Sequence, residues 1–238
     1  MREEISHCVE RYKADSFYFW ADTFLAWSDR ELDEFCDMYA EFKLPFWIQT
    51  RPEIVTEHKF RCLKEVGLLR VAFGVEHGNP EFREKTLSRK IDNDTIVNNL
   101  NILYNLGIPF SVNIIMGFPR ETKELAFDTI ELNRSIKSDG MNAYAFTPFH
   151  GVPLRKLAES LGYIKPEEIS RSIMKPTMLR MPQWSREDIE GLRRCFVLYV
   201  KLPKSRWPEV QAAEKLTPEG GKVWEGLRKE VLEEYMEW

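Results

Sequence analysis

The sequence is poor in cysteine. Cys8, Cys36, Cys62 and Cys195 are scattered through 238 residues, with no two at the short spacing of a metal-binding pair. That excludes a disulfide framework and a sequence-local metal motif. The four read as reduced thiols, three of them on the apolar or flanking stripes of predicted helices. Long hydrophobic runs are missing too. No segment approaches the ~20 apolar residues of a membrane-spanning helix. The opening "MREEISHCVERYKADS" carries acids and no apolar centre, so it is not a secretory signal. The predicted location is cytoplasmic, with no membrane partner. Nor is there an excess of basic charge: 34 Lys and Arg stand against 38 Asp and Glu, a net charge of −4. That balance argues against a nucleic-acid partner, and "KLPKSRWPE" (201–209) reads as a solvated loop.

What is present is an alternation. Short segments rich in aromatic and β-branched residues alternate with helical patterns through the first 150 residues, the signature of βα units on a parallel sheet. A helix is predicted over about 2–13. Strands are predicted at "DSFYFWADT" (15–23), "PFWIQTR" (45–51), "LLRVAFGVE" (68–76), "IPFSVNIIMGF" (108–118) and "MNAYAFTPF" (141–149). Between them, Ser28 with Glu31 forms a capping box, Thr56 caps a second helix that Gly67 ends, and Ile96, Leu100 and Leu103 stripe a third that Gly107 ends. A further helix runs from about 121 to 137. Beyond residue 155 the pattern becomes a short helix and a proline-containing connector. An amphipathic helix capped by Ser185 and ended by Pro203 comes next, and the tail is a charged helix. Five strands are too few for an eight-stranded barrel.

Right-handed crossovers place all strand C-termini on one edge, where barrel-like α/β proteins carry their chemistry. That edge holds Asp22, Arg51, Glu76 with His77, Asn113 through Gly117, and Thr147. In "FGVEHGNPE" (73–81), glycines near Glu76 permit close approach of another group. The carboxylate reads either as an acceptor for a ribose diol or as a turn cap or partner of an arginine. In "NIIMGFPRET" (113–122), Gly117 and Pro119 shape a tight turn whose backbone groups can read an adenine edge, or which is an ordinary start to the next helix. Asp22 suits an ammonium group or the start of a helix. Arg51 suits a carboxylate ligand or a structural ion pair. His150 in "TPFHGVPL" (147–154) is a proton donor or a loop bystander.

Together, "FYFWADTFL", "FGVEHGNPE", "NIIMGFPRET" and "FTPFHGVPL" resemble the ordered strand-end motifs of the radical S-adenosylmethionine enzymes, in the branch that often carries an N-terminal cobalamin-binding domain. The resemblance covers residues 1–155 and implies a partial (β/α)6 TIM-like barrel missing its first strand, followed by a helical extension over 156–238. It implies S-adenosylmethionine as cofactor. A 4Fe-4S cluster on a C-x3-C-x2-C motif would reduce it to methionine and a 5′-deoxyadenosyl radical, for radical chemistry or methyl transfer with cobalamin on an unidentified small-molecule substrate. By resemblance Glu76 binds the ribose hydroxyls, Asn113 and Gly117 line the adenine and sulfonium region, and Asp22 meets the methionine amine, although the glycines usual beside it are missing. The C-x3-C-x2-C motif is absent from this sequence, and Met1 opens within the helix that follows the cluster loop in the family. The expectation is a truncated core that assembles no cluster alone and relies on an upstream chain or domain for the cluster loop and cobalamin domain. The alternatives are a cluster-free βα-barrel lyase using Glu76, His77 and Arg51, and a non-catalytic interaction module with an exposed sheet edge near Phe17 to Trp20.

Overall fold

The computed structural model describes residues 1–21 and 23–234. Its sheet has five strands, β1 (Phe17–Phe19), β2 (Phe46–Thr50), β3 (Leu68–Glu76), β4 (Phe110–Met116) and β5 (Gly140–Ala145), in that spatial order. It is parallel and open, as expected for a partial barrel. The β1–β2 and β2–β3 registers begin at Phe17 opposite Phe46 and Phe46 opposite Leu68, with an irregularity between Phe46 and Trp47. Sequence order equals spatial order because each strand returns through a helical crossover on one side before pairing with its predecessor.

The predicted strands hold, β3 at its full predicted length and the other four shortened. β1 keeps three residues, because the chain turns at once and the Phe24 N–H donates to the Gln49 carbonyl. β5 stops at Ala145, ahead of Pro148, which lacks an N–H for a ladder. Nineteen residues of expected connection after Glu76 contain a helix of their own, α4 (Pro80–Leu87), capped by the Asn79 side chain on the Phe82 N–H.

By internal contact the described chain forms two compact units. The first takes in residues 1–75, 94–112 and 136–140. It holds α1 (Arg2–Tyr12), α2 (Asp29–Tyr39), α3 (Glu57–Glu65) and all but the first residue of α5 (Asn93–Asn105). The predicted capping box at Ser28 and the Thr56 cap both form. The core of this unit is a nest of rings: Phe19 meets Phe24, Phe35, Tyr39 and Phe46, with centroids 5.4 to 5.8 Å apart. Such edge and tilted contacts add to the area they bury. Among the described residues β1 is an edge of the sheet, and Tyr18 and Trp20 are exposed on it.

The second unit takes in residues 76–93, 113–135 and Met141 onward. It holds α4, α6 (Lys123–Arg134), α7 (Pro153–Ser160), α8 (Arg186–Lys201), α9 (Trp207–Glu214) and α10 (Pro218–Glu234). Ser185 caps α8 as predicted, and α8 buries Ile189, Leu192, Phe196 and Tyr199. The segment 201–209 is not a solvated loop. It makes a 3-10 turn (Lys204–Arg206) and the start of α9, because Trp207 packs its ring against Phe127 and Tyr199.

Candidate functional site

β3 ends in a non-glycine residue with left-handed backbone. Glu76 has φ +67°, a conformation that costs a residue with a Cβ about 1–3 kcal/mol and clusters at functional sites. Its carboxylate is partly exposed, and Arg89 Nη1 lies 3.8 Å from Oε1.

The residues that follow have structural work. His77 is fully buried. The Asn79 N–H donates to its Nδ1 (3.1 Å), which puts the imidazole proton on Nε2, and Nε2 donates to Glu121 Oε1 (3.2 Å). Gly78 sits where α6 crosses: a Cβ there would stand 2.3 Å from the Asp128 carbonyl oxygen and from Thr129 Cα. Its N–H donates to Thr129 Oγ1 at 2.8 Å. The close approach that this glycine permits is therefore the approach of a helix. Arg83, also buried, donates to the His77 carbonyl and to Asn93 Oδ1, while Asn93 Nδ2 donates to the Gly78 carbonyl.

The β4 turn closes the same network. Gly117 has φ +82°. The N–H groups of Gly117 and Phe118 both donate to Glu121 Oε2, at 2.6 and 2.8 Å. Glu121 thus accepts from two backbone amides and an imidazole, which satisfies a buried carboxylate. These N–H groups are engaged inside the protein, and the Phe118 carbonyl accepts from the Glu121 N–H at 3.0 Å. Asn113, on β4, accepts from Asn142 Nδ2 on β5 at 2.9 Å. A cavity of about 420 Å³ in this unit is lined by Asn79, Phe82, Lys85, Pro119, Arg120 and Leu157.

Of the residues singled out from sequence, Glu76, Asn113 and Gly117 share the second unit. Arg51 lies in the first unit, exposed at the end of β2, with extended backbone that starts a 3-10 turn (Pro52–Ile54). Asp22 lies outside the described residues. His150 is exposed on the loop after β5. Glu121 carries the turn that sequence reading assigned to backbone groups; its signal was the carboxylate four residues after Gly117, close enough to fold back on the turn.

The cysteines do not fit a 4Fe-4S cluster, which needs three converging thiolates. Burial pushes the Cys36 and Cys195 thiols up to about 12. Among the described residues, the side chains that converge at metal-ligand distance are Asp33, His58 and Cys62, with a single thiol.

An open parallel α/β sheet with a carboxylate at a strand end defines a protein of the barrel-like α/β class. Residues 1–132 match the family described as the Radical SAM superfamily, and the chain belongs to that superfamily. It is 30% identical over 128 residues to a tRNA-2-methylthio-N(6)-dimethylallyladenosine synthase of Halalkalibacterium halodurans, covering 51% of this chain and 23% of the relative. The chain spans about a quarter of the length of the curated relatives it matches first. Among solved structures, the radical SAM coproporphyrinogen III oxidase of Escherichia coli aligns with TM-score 0.61 and 17% identity, over 84% of this chain and 44% of that one. TsrM, a radical S-adenosylmethionine methyltransferase of Kitasatospora setae with cobalamin and a 4Fe-4S cluster bound, aligns with TM-score 0.58 and 11% identity, over 96% and 54%. At these identities the structural likeness is one of fold.

Proposed function

We propose that this chain is the S-adenosylmethionine-binding part of a radical enzyme that transfers a methyl-type group to a small-molecule substrate. The observation that carries the reading is Glu76, held at φ +67° at the end of β3 while His77, Gly78 and Asn79 serve the fold. Left-handed backbone at a non-glycine strand end, beside neighbours with structural roles, supports a group positioned for a ligand. The Glu76 carboxylate accepts the two ribose hydroxyls. Asn113 and the Gly117 turn border the base and sulfonium. S-adenosylmethionine supplies a sulfonium-activated methyl or adenosyl group. The methylthio transfer named for the bacterial relative and the methyl transfer named for TsrM support the reaction class. The cavity of about 420 Å³ has the size of a small-molecule site.

The cluster ligands and any cobalamin site belong, in this reading, to a segment other than the described residues, and the exposed edge of β1 suits pairing with a further strand. The same edge is what a non-catalytic interaction module would present. Two measurements test the reading. Glu76→Gln should weaken S-adenosylmethionine binding by calorimetry about 10–100-fold, the range of hydrogen bonds to a charged group; unchanged affinity in a folded variant would sink the ribose role. Anaerobic reconstitution of this chain alone should yield no stoichiometric four-iron cluster by iron counting and electron paramagnetic resonance, and a reducible cluster would refute the division of labour.

A further inference from the structure

The first unit contains a second constellation that the proposed chemistry does not use. Asp33 projects from α2, and His58 and Cys62 project from α3, one helical turn apart. An i, i+4 pair shares one helix face, so the His and Cys reach the same spot, and α3 packs against α2 where Asp33 stands. His58 Nε2 lies 3.0 Å from Asp33 Oδ1 and 3.9 Å from Cys62 Sγ, and Sγ lies 3.8 Å from Asp33 Oδ1.

These three distances are those of one face of a tetrahedron. Zinc bonds of roughly 2.3 Å to sulfur, 2.05 Å to nitrogen and 2.0 Å to oxygen set tetrahedral edges of about 3.5 Å for sulfur–nitrogen, 3.5 Å for sulfur–oxygen and 3.3 Å for nitrogen–oxygen. Each observed distance is within a few tenths of an ångström of its edge, so rotamer adjustments suffice to place all three atoms on one ion. The donor set is also selective. A thiolate and an imidazole disfavour calcium and magnesium, which take oxygen ligands, and favour a borderline-soft ion.

We propose that Asp33, His58 and Cys62 bind a divalent ion of the zinc class, with water in the fourth position, tying α2 to α3. The Cys62 S–H bond breaks as the sulfur–metal bond forms, and its proton leaves to solvent. The imidazole donates a lone pair and the carboxylate one oxygen. The two negative ligands then balance the two positive charges of the ion. Asp33 and His58 are about half exposed, which supplies an entry path and room for the water.

The test uses the whole chain, reduced and stripped with a chelator, and Co2+ as a spectroscopic probe. One equivalent of Co2+ per chain should produce tetrahedral visible bands and a near-ultraviolet thiolate-to-cobalt band, and Zn2+ should bleach both. Cys62→Ser should abolish the thiolate band, and Cys8→Ser should leave it intact. Zinc affinity, read by competition with a chromophoric chelator, should fall in Cys62→Ser and His58→Ala by more than about 100-fold, since even outer-shell partners contribute 10–100-fold. Zinc should raise the thermal midpoint of the wild-type chain and leave that of each ligand variant unchanged, a comparison made within each protein and so independent of what the substitution does to folding. Cobalt binding without a thiolate band, or equal zinc affinity in the wild type and Cys62→Ser, would show an ordinary His–Asp surface pair and overturn the proposal.

Discussion

The two units hold themselves together by different means. In the first, Phe19, Phe24, Phe35, Tyr39 and Phe46 interlock through ring contacts, and of the buried polar side chains among the described residues only Thr50, Lys59 and Ser138 fall there. In the second, buried polar groups form the frame: His77, Arg83, Glu121 and Thr129 link the end of β3, the β4 turn and α6. Arg155 in the same unit donates to the carbonyls of Pro148, Pro166 and Glu168 and so gathers the loops around α7. Ring packing is non-directional and tolerates small changes of shape. A hydrogen-bonded network admits one geometry and charges heavily for a missing member. The unit that carries Glu76, Asn113 and Gly117 is the one framed by directional bonds, which hold atoms to fractions of an ångström.

Substitutions should separate the two modes. Glu121→Ala leaves two backbone N–H groups and the His77 Nε2–H without their acceptor in a buried site; a loss of about 3–5 kcal/mol by urea denaturation is expected, the range for breaking a buried charged interaction. Phe35→Leu in the ring nest removes ring contacts but leaves no polar group without a partner, and should cost less, about 1–2 kcal/mol. Equal costs for the two changes would erase the distinction. The smallest effect is one the units share. Burial pushes the Cys36 thiol and the Tyr39 phenol of the first unit, and the Cys195 thiol of the second, up to about 12. An unfolded thiol loses its proton near about 8.5 and an unfolded phenol near about 10, while the folded groups keep theirs. Their contribution to stability is therefore complete below those values and declines as pH rises toward 12. The urea midpoint should fall between neutral and alkaline pH, and a midpoint that rises would contradict the sign.

Much of the fold was legible in the chain. β3 runs over Leu68–Glu76 as its β-branched and aromatic composition predicts, and the caps at Ser28, Thr56 and Ser185 all form. α4 and α9 were less legible, since each has eight residues and neither shows a strong apolar stripe. The strand-end order of Glu76, Asn113 and Gly117 was readable too. The partners of "FGVEHGNPE" were not, because Thr129, which meets Gly78, lies 51 residues away, and Glu121, which meets His77, lies 44 away.

The sequence by itself determined the alternation of strands and helices, the helix ends and membership of the radical SAM superfamily. Each of these depends on neighbours within a few residues or on motifs in order along the chain. Tertiary structure alone decided that Gly78 makes room for α6, that Glu121 holds the β4 turn, and that Asp33 joins the His58–Cys62 pair. Each of those is a meeting of side chains from different elements. Local pattern says which face a residue occupies, while packing chooses what it faces.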